Sequence, residues 1–247
     1  MKTIDLNCDV GEGMPAEAAL MPWITSANIA CGGHTGDAAT MQATIALCRQ
    51  HGVAIGAHPS WPDREHFGRR NRQYPQHELY AFVRSQIENL LQWLPVAHLH
   101  HVKPHGALYN QSAADPEIAH TIARAVYDTH PNLILFGLSG SHSCSKAAAL
   151  GLRVAHEVFA DRRYEADGTL TPRSHPDALL TDPQAAATQA LRLVQEGTVI
   201  ARTGEVVALR ADTLCIHGDG ANALALAKTI HITLQQNGIA LQSITRH

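Results

Sequence analysis

Short apolar runs recur along the chain at Thr3–Leu6, Ala27–Ala30, Val53–Ala57, Leu99–Val102, Leu133–Leu138, Val154–Phe159 and Leu214–Ile216. Between most of them lie longer stretches whose apolar residues return every three or four positions: about Asp37–His51, Gln76–Leu94, Asp115–Thr129, Ser143–Leu150 and Pro183–Glu196. The first pattern predicts buried strands and the second predicts helices with one face turned inward. A further helix-like segment, Gly220–Asn237, precedes a last short run, Ile239–Ile244. The punctuation agrees. Asp115-Pro116 and Asp182-Pro183 read as an N-cap followed by proline at the first helical position, where an absent N–H leaves no hydrogen bond unmade. Gly52, Gly151, Gly197 and Gly238 stand where four helices should end, suited to the left-handed turn that closes a helix.

Strand and helix alternating at this spacing predict parallel β-α units, about seven of them, as a barrel or an open doubly wound sheet. The open dinucleotide-binding sheet is disfavoured, because the first strand leads into Asn7-Cys8-Asp9-Val10-Gly11-Glu12 and not into G-x-G-x-x-G. No phosphate loop of the G-x-x-x-x-G-K-[ST] type occurs, and no repeat or Pro/Gly-rich linker marks a boundary. The expected fold is therefore α/β: one parallel β/α barrel, with residues 1–247 forming a single catalytic domain.

Composition narrows the function classes. A chain of 247 residues that is 45% hydrophobic and 17% charged can bury a full core, and a net charge of −3 offers no general hold on nucleic acid or an anionic membrane. No run approaches the ~18 apolar residues of a membrane span, and the start of the chain lacks a signal-peptide core. Five cysteines without C-x-x-C argue against a disulfide framework or zinc knuckle. The expected location is cytoplasmic. Seventeen histidines are many for this length. His51, His77, His120, His130, His175, His231 and His247 lie on polar or helical stretches and read as surface residues. His98, His100 and His101 read as strand and surface residues. The informative histidines directly follow apolar runs.

Nearly every strand ends in residues able to do chemistry, and in a parallel barrel those ends form one rim, where catalytic sites sit. The first supplies Asp5, Asn7, Asp9 and Glu12; strand alternation puts the first three on one side if the strand persists that far. The second supplies Gly32-Gly33-His34 and Asp37, the last equally suited to capping the next helix. His58 ends the third, and Lys103-Pro104-His105-Gly106 the fourth. A lysine ending a buried strand is costly unless it faces a carboxylate or a ligand oxyanion. Glu157, Asp161 and Arg162 follow the sixth strand, and His217-Gly218-Asp219 the seventh. Arg173 and Arg69-Arg70 add anion contacts from loops, while Cys8 and Cys31 read as packing residues. From these residues alone the chemistry is acid–base hydrolysis of a small, polar, anionic substrate. A divalent metal is an option, with Asp9, His34 and His58 as candidate ligands.

Seven of these segments together resemble one family. Asp5-Leu6-Asn7-x-Asp9-x-Gly11-Glu12, Ala27-Asn28-Ile29-Ala30-Cys31-Gly32-x-His34-x-Gly36-Asp37, Gly56-Ala57-His58-Pro59-Ser60-x-Pro62-Asp63, Phe67-Gly68-Arg69, Val102-Lys103-Pro104-His105-Gly106-x-Leu108-Tyr109-Asn110, Glu157-Val158-Phe159-Ala160-Asp161-Arg162 and His217-Gly218-Asp219 are similar, in order, to the LamB/YcsF family. The resemblance implies a distorted, deacetylase-like β/α barrel serving as the A component of bacterial ATP-dependent 5-oxoprolinase. It implies cleavage of 5-oxo-L-proline to L-glutamate with ATP as co-substrate, in a complex with subunits B and C. On that basis Asp9, Glu12, His34, His58, Lys103 and His105 are expected to be catalytic. Asp5, Asn7, Asp37, Glu157, Asp161, Arg162, Arg173, His217 and Asp219 are expected to bind substrate. Two alternatives stay open: a metal-dependent amidohydrolase or carbohydrate deacetylase, and a non-catalytic lactam-binding subunit.

Overall fold

The computed structural model describes residues 1–218, 220 and 222–245. In chain order come β1 (Thr3–Val10), α1 (Glu17–Leu20), β2 (Ser26–Ala30), α2 (Ala38–His51), β3 (Ala54–His58), α3 (Gln76–Leu91) and β4 (Leu99–Val102). Then follow α4 (Gly106–Ala114), α5 (Pro116–Thr129), β5 (Ile134–Leu138), α6 (His142–Ala149), β6 (Arg153–Phe159) and α7 (Pro183–Glu196). The chain continues through a hairpin of β7 (Thr198–Ile200) and β8 (Val206–Ala208), then β9 (Thr213–Ile216), α8 (Ala223–Gln236) and β10 (Ala240–Leu241). Strands β1 to β6 and β9 pair in parallel, and β9 bonds to both β6 and β1, closing a seven-stranded barrel inside the helices. The expected α/β barrel is the observed fold.

The helix ends follow the predicted chemistry. Asp115 accepts hydrogen bonds from the Glu117 and Ile118 amides, and Asp182 from the Ala185 amide, each ahead of a proline in the first turn. Gly52 and Gly197 close α2 and α7 in the left-handed region. Leu79, Val83, Ile87 and Leu90 of α3, spaced at three to four residues, are buried, and α3 packs on α5. Three features escaped the sequence pattern, the four-residue α1 among them. Helix α4 is short and buries Ala107, Leu108, Tyr109 and Ser112, so it lacks the polar face that marks a helix. The β7–β8 hairpin lies outside the barrel, although Thr198-Val199-Ile200 and Val206-Val207-Ala208 carry a strand composition that flags it in retrospect.

The barrel interior is largely polar on one side. Hydrogen bonds from Asn7 on β1 to Glu157 on β6, and from Lys103 after β4 to Asn7 and to Cys215 on β9, join strands that are not neighbours. Such bonds can only cross the inside. Strand β1 runs to Val10, so Asp5, Asn7 and Asp9 do project together inward, while Leu6, Cys8 and Val10 join the apolar layer under the helices. His101 also points inward: it is fully buried, stacks on Phe136 at 4.0 Å and bonds Asn28 Oδ1 at 2.8 Å. This corrects the expectation for His101, and for His100, which is buried beside it. Room for the His101 ring comes from Gly56, where a Cβ would stand 2.1 Å from its Nε2. At the opposite end β10 pairs with β1, and Ile244 and Thr245 accept bonds from His100 and Arg153, strapping the C-terminal segment across the barrel floor.

Candidate active site

The predicted catalytic residues converge at the carboxyl ends of the strands. Glu12 lies just past β1, in a turn held by Glu17, whose carboxylate accepts the amides of Gly11, Glu12 and Met14. His34 follows β2, and His58 ends β3. Beyond β4 the Lys103 and His105 amides still bond to the carbonyls of Ala57 and Pro59, which carries the ladder past the last formal strand residue. Phe67 closes the site from the loop after β3. Its φ of 54° is a strained conformation for a bulky residue, and its carbonyl meets His105 Nε2 at 2.9 Å. The following Gly68 is needed because a Cβ there would stand 3.0 Å from both His34 and His105.

Hydrogen-bond partners assign most of the protons in this cluster. His105 Nε2 faces a carbonyl and so carries a hydrogen. Burial, reinforced by His34 and His58, holds the His105 pKa well below its usual value, so the ring is neutral and its Nδ1 accepts. His58 Nε2 lies 2.9 Å from that Nδ1 and 3.3 Å from Asp9 Oδ2, while His58 Nδ1 lies 2.7 Å from the Lys103 carbonyl. Both His58 nitrogens therefore face acceptors, with Nε2 directed at the Asp9 carboxylate. His34 stacks on His105 with centroids 3.8 Å apart. Burial, with the charge of His58, lowers its pKa to about 2. The neutral ring donates from Nε2 to Glu12 at 3.0 Å, and its buried Nδ1 lone pair meets no hydrogen-bond partner among the described residues.

Below the cluster sits the Lys103 ammonium, 2.9 Å from Asp9 and 3.0 Å from Glu157. Burial disfavours its charge, but Asp9, Cys215 and Glu157 together raise its pKa well above the ordinary value. Burial likewise opposes ionisation of Asp9, and His58 and Lys103 overcome it, holding the carboxyl well below its usual range. The site thus combines a fixed Lys103–Asp9 charge pair, a His58 ring set between Asp9 and His105, and an open lone pair on His34.

The other expected residues divide. Asp161 binds His217 Nδ1 at 2.9 Å; despite burial, that partner keeps its carboxyl below the usual range. Arg162 is buried and Arg173 exposed, and both line the cleft in front of the cluster. Asn7 and Glu157 belong to the interior network under Lys103. Asp5 is set apart: Ser26, Thr25 and Thr213 hydroxyls surround it near the barrel floor, and burial raises its pKa. Asp37 is exposed and caps α2 in a reciprocal pair with Thr40. Asp219 lies outside the described residues. Four further participants went unread in the sequence: Tyr109, Phe159, Asn110 and Cys215. Tyr109 and Asn110 were within reach, since both stand in the segment that follows Lys103.

The site opens in two stages. A throat of about 40 Å³ bounded by Asp9, His58, Lys103, Tyr109 and Phe159 leads outward past Arg69, Asn110, Arg162 and Arg173. Those four residues also border an outer chamber of about 1000 Å³ that reaches the start of α6.

The LamB/YcsF family model matches residues 4–247. The chain belongs to the LamB/YcsF family. Among LamB/YcsF relatives, the A subunit of 5-oxoprolinase from Bordetella parapertussis is 51% identical over 247 residues, covering 97% of this chain and 98% of that protein. The crystal structure of the lactam utilization protein from Thermus thermophilus superposes with a TM-score of 0.91 at 43% identity, covering 99% of this chain and all of that one. A family 4 carbohydrate esterase from Streptomyces lividans shares the LamB/YcsF fold alone, with a TM-score of 0.51 at 11% identity over 99% of this chain and 94% of the esterase. No helix among the described residues is long and apolar enough to cross a membrane.

Proposed function

We propose that this chain is the A subunit of an ATP-dependent 5-oxoprolinase, opening 5-oxo-L-proline to L-glutamate in a complex with subunits B and C. The observation that carries the reading is the convergence of Asp9, Glu12, His34, His58, Lys103 and His105 at one barrel end. It occurs in a chain half identical to proteins named as the A subunit of 5-oxoprolinase.

A five-membered lactam is a weak electrophile, and transfer of a phosphoryl group from ATP to its oxygen turns the ring carbon into a strong one. Water then adds to that carbon, the ring C–N bond breaks and the nitrogen takes a proton. A second water releases phosphate, leaving glutamate and ADP. His34 Nδ1 has a lone pair to accept the proton of water, steadied through Nε2 by Glu12. His58, paired with Asp9, has a hydrogen to give to the departing nitrogen. Arg162 and Arg173 hold the substrate carboxylate and the phosphoryl oxygens at the cleft mouth. Lys103 keeps Asp9 ionised and in place. Reconstitution tests the proposal: 5-oxoproline and ATP should release glutamate and ADP when this chain is mixed with its two partner subunits. No release, with the partners active alongside another A subunit, would sink it.

One observation supports a second reading. Ligand atoms of Glu12, His34, His58 and His105 all lie within 4.8 Å of one another, and imidazole nitrogens with a carboxylate are a fitting donor set for a transition metal. Of the metal candidates expected from sequence, His34 and His58 fall in this group, while Asp9 is turned to Lys103. A bound divalent ion would polarise the scissile carbonyl and acidify water, making the chain a metal-dependent amidohydrolase. Stoichiometric metal in purified protein, with glutamate formation lost to chelator and restored by metal, would establish it; full activity in metal-free protein would exclude it.

A further inference from the structure

The outer chamber is far larger than a nine-heavy-atom lactam requires, since about 1000 Å³ lies at the top of the range for drug-sized ligands. Its walls are unevenly furnished. Arg162, 4% exposed, borders both throat and chamber. One of its terminal nitrogens donates to the Thr171 carbonyl at 2.7 Å, which anchors the guanidinium, while Nε is buried without a partner among the described residues. The acid next to it in sequence, Asp161, is engaged by His217 at both oxygens. Gln189 clamps the loop that carries Arg162, donating to the carbonyls of Phe159, Ala160 and Arg162, so the cation is built in. Burial and the second cation Arg173 pull the Arg162 pKa down to about 10, the mark of positive charge that its surroundings do not fully answer.

Across the same chamber, Ser139, Gly140, Ser141 and His142 form the turn from β5 into α6. No side chain caps that helix, so its first amides have no side-chain acceptor, and a helix start favours negative charge. The anchored Arg162 guanidinium, with Arg69 and Arg173 beside the same cavity and an uncapped helix start on its wall, calls for a ligand with oxygens in several directions. A carboxylate offers two coplanar oxygens, whereas a phosphate offers three in a cone.

We propose that the outer chamber is a phosphate-binding site, seated between the Arg162 guanidinium and the first-turn N–H groups of α6. It deepens the lactam-opening reading by giving a place to the phosphoryl group that reading requires, yet the binding does not depend on that reaction. The phosphate belongs either to a nucleotide or to a small phosphorylated species, and both share these contacts.

Calorimetric titration of the whole chain with inorganic phosphate, ADP and, at matched ionic strength, acetate tests the site. The expected result is saturable binding of phosphate or ADP, no saturable binding of acetate, and a loss of at least tenfold in Arg162→Gln. His142→Pro keeps the helix, because proline is tolerated at its first position and Ser141 is already extended, but removes one N–H. It should weaken binding several-fold while His142→Ala binds as wild type, and it serves if Arg162→Gln fails to fold. ADP binding more tightly than phosphate would identify a nucleotide; equal or weaker binding would identify a small phosphorylated ligand. Absence of saturable binding by either at tens of millimolar would overturn the proposal, as would folded Arg162→Gln and His142→Pro proteins that bind like wild type. Bound phosphate in a chain that never releases glutamate with its partners would leave the site standing and remove the 5-oxoprolinase reading. Glutamate release without phosphate binding would do the reverse.

Discussion

Replacing Lys103 with methionine should cost this protein stability as well as activity, and the structure gives the scale. The ammonium lies 2.9 Å from Asp9 and 3.0 Å from Glu157, with all three groups buried. Methionine fills nearly the same volume, so the dominant loss is electrostatic: two carboxylates remain in a dry interior without their shared cation. Removing one partner of a buried pair costs about 3–5 kcal/mol, a large part of the roughly 5–15 kcal/mol that holds a typical domain together. At ~2–4 °C per kcal/mol for a chain of this size, the melting temperature should fall by roughly 6–20 °C. The penalty has a definite pH dependence. In the wild type the depressed Asp9 contributes stability above the ordinary carboxylate range, which is lost as pH falls through its folded value. In Lys103→Met the buried Asp9 carboxylate loses that cation and is relieved by taking up a proton, so the gap from wild type should be widest near pH 8 and shrink toward pH 5. Urea unfolding of both proteins across that range measures it. Adding Asp9→Asn and Glu157→Gln to Lys103→Met removes the unpaired charges and should recover much of the loss. A single variant as stable as wild type at every pH, or a triple variant worse than the single one, would refute this reasoning.

Other perturbations test separate parts of the site. Gly56→Ala would set a Cβ 2.1 Å from His101 Nε2 and displace the ring from Asn28; overpacking of this kind costs about 1–3 kcal/mol or more, and an unchanged urea midpoint would contradict the tight fit. His34 and His105 are buried neutral, with pKa values below those of the unfolded chain, so unfolding takes up protons and stability must fall as pH drops below about 6.5. Each ring adds up to ~1.4 kcal/mol per pH unit to that slope, and His34→Gln should flatten it; an unaltered slope would show that His34 is not held neutral. Tyr109 borders the throat with its hydroxyl pushed well up by burial and by Glu157. Tyr109→Phe should therefore raise KM for 5-oxoproline in the reconstituted system while leaving the unfolding midpoint within about 1 kcal/mol of wild type.

The barrel was legible because its strands and helices repeat with distinct periods and its helix ends carry ordinary capping residues, such as Asp115-Pro116 and Asp182-Pro183. The rim cluster was legible because a parallel barrel sends every strand end to one face. What stayed hidden depends on contacts far apart in sequence. Nothing local distinguishes His101, which fills the space left by Gly56, from the exposed His98 three residues earlier. Cys215 looks like any core cysteine, yet its sulfur lies 2.9 Å from Lys103. Helix α4 is apolar around much of its girth and so loses the period that would announce it. Asp5 and Asp37 show the opposite limit, because an acid near a strand end has the same spelling whether it serves chemistry, a buried hydroxyl cage or a helix cap.

The most direct measurement compares glutamate release by wild type and by Glu12→Gln and His58→Gln chains, each reconstituted with both partner subunits and matched for folded protein. If the rim cluster opens the lactam, each substitution should lower turnover by about 10²–10⁴-fold, the usual scale for losing an acid or base, without dissociating the complex. Turnover within a few-fold of wild type in both variants would mean that the lactam is opened elsewhere.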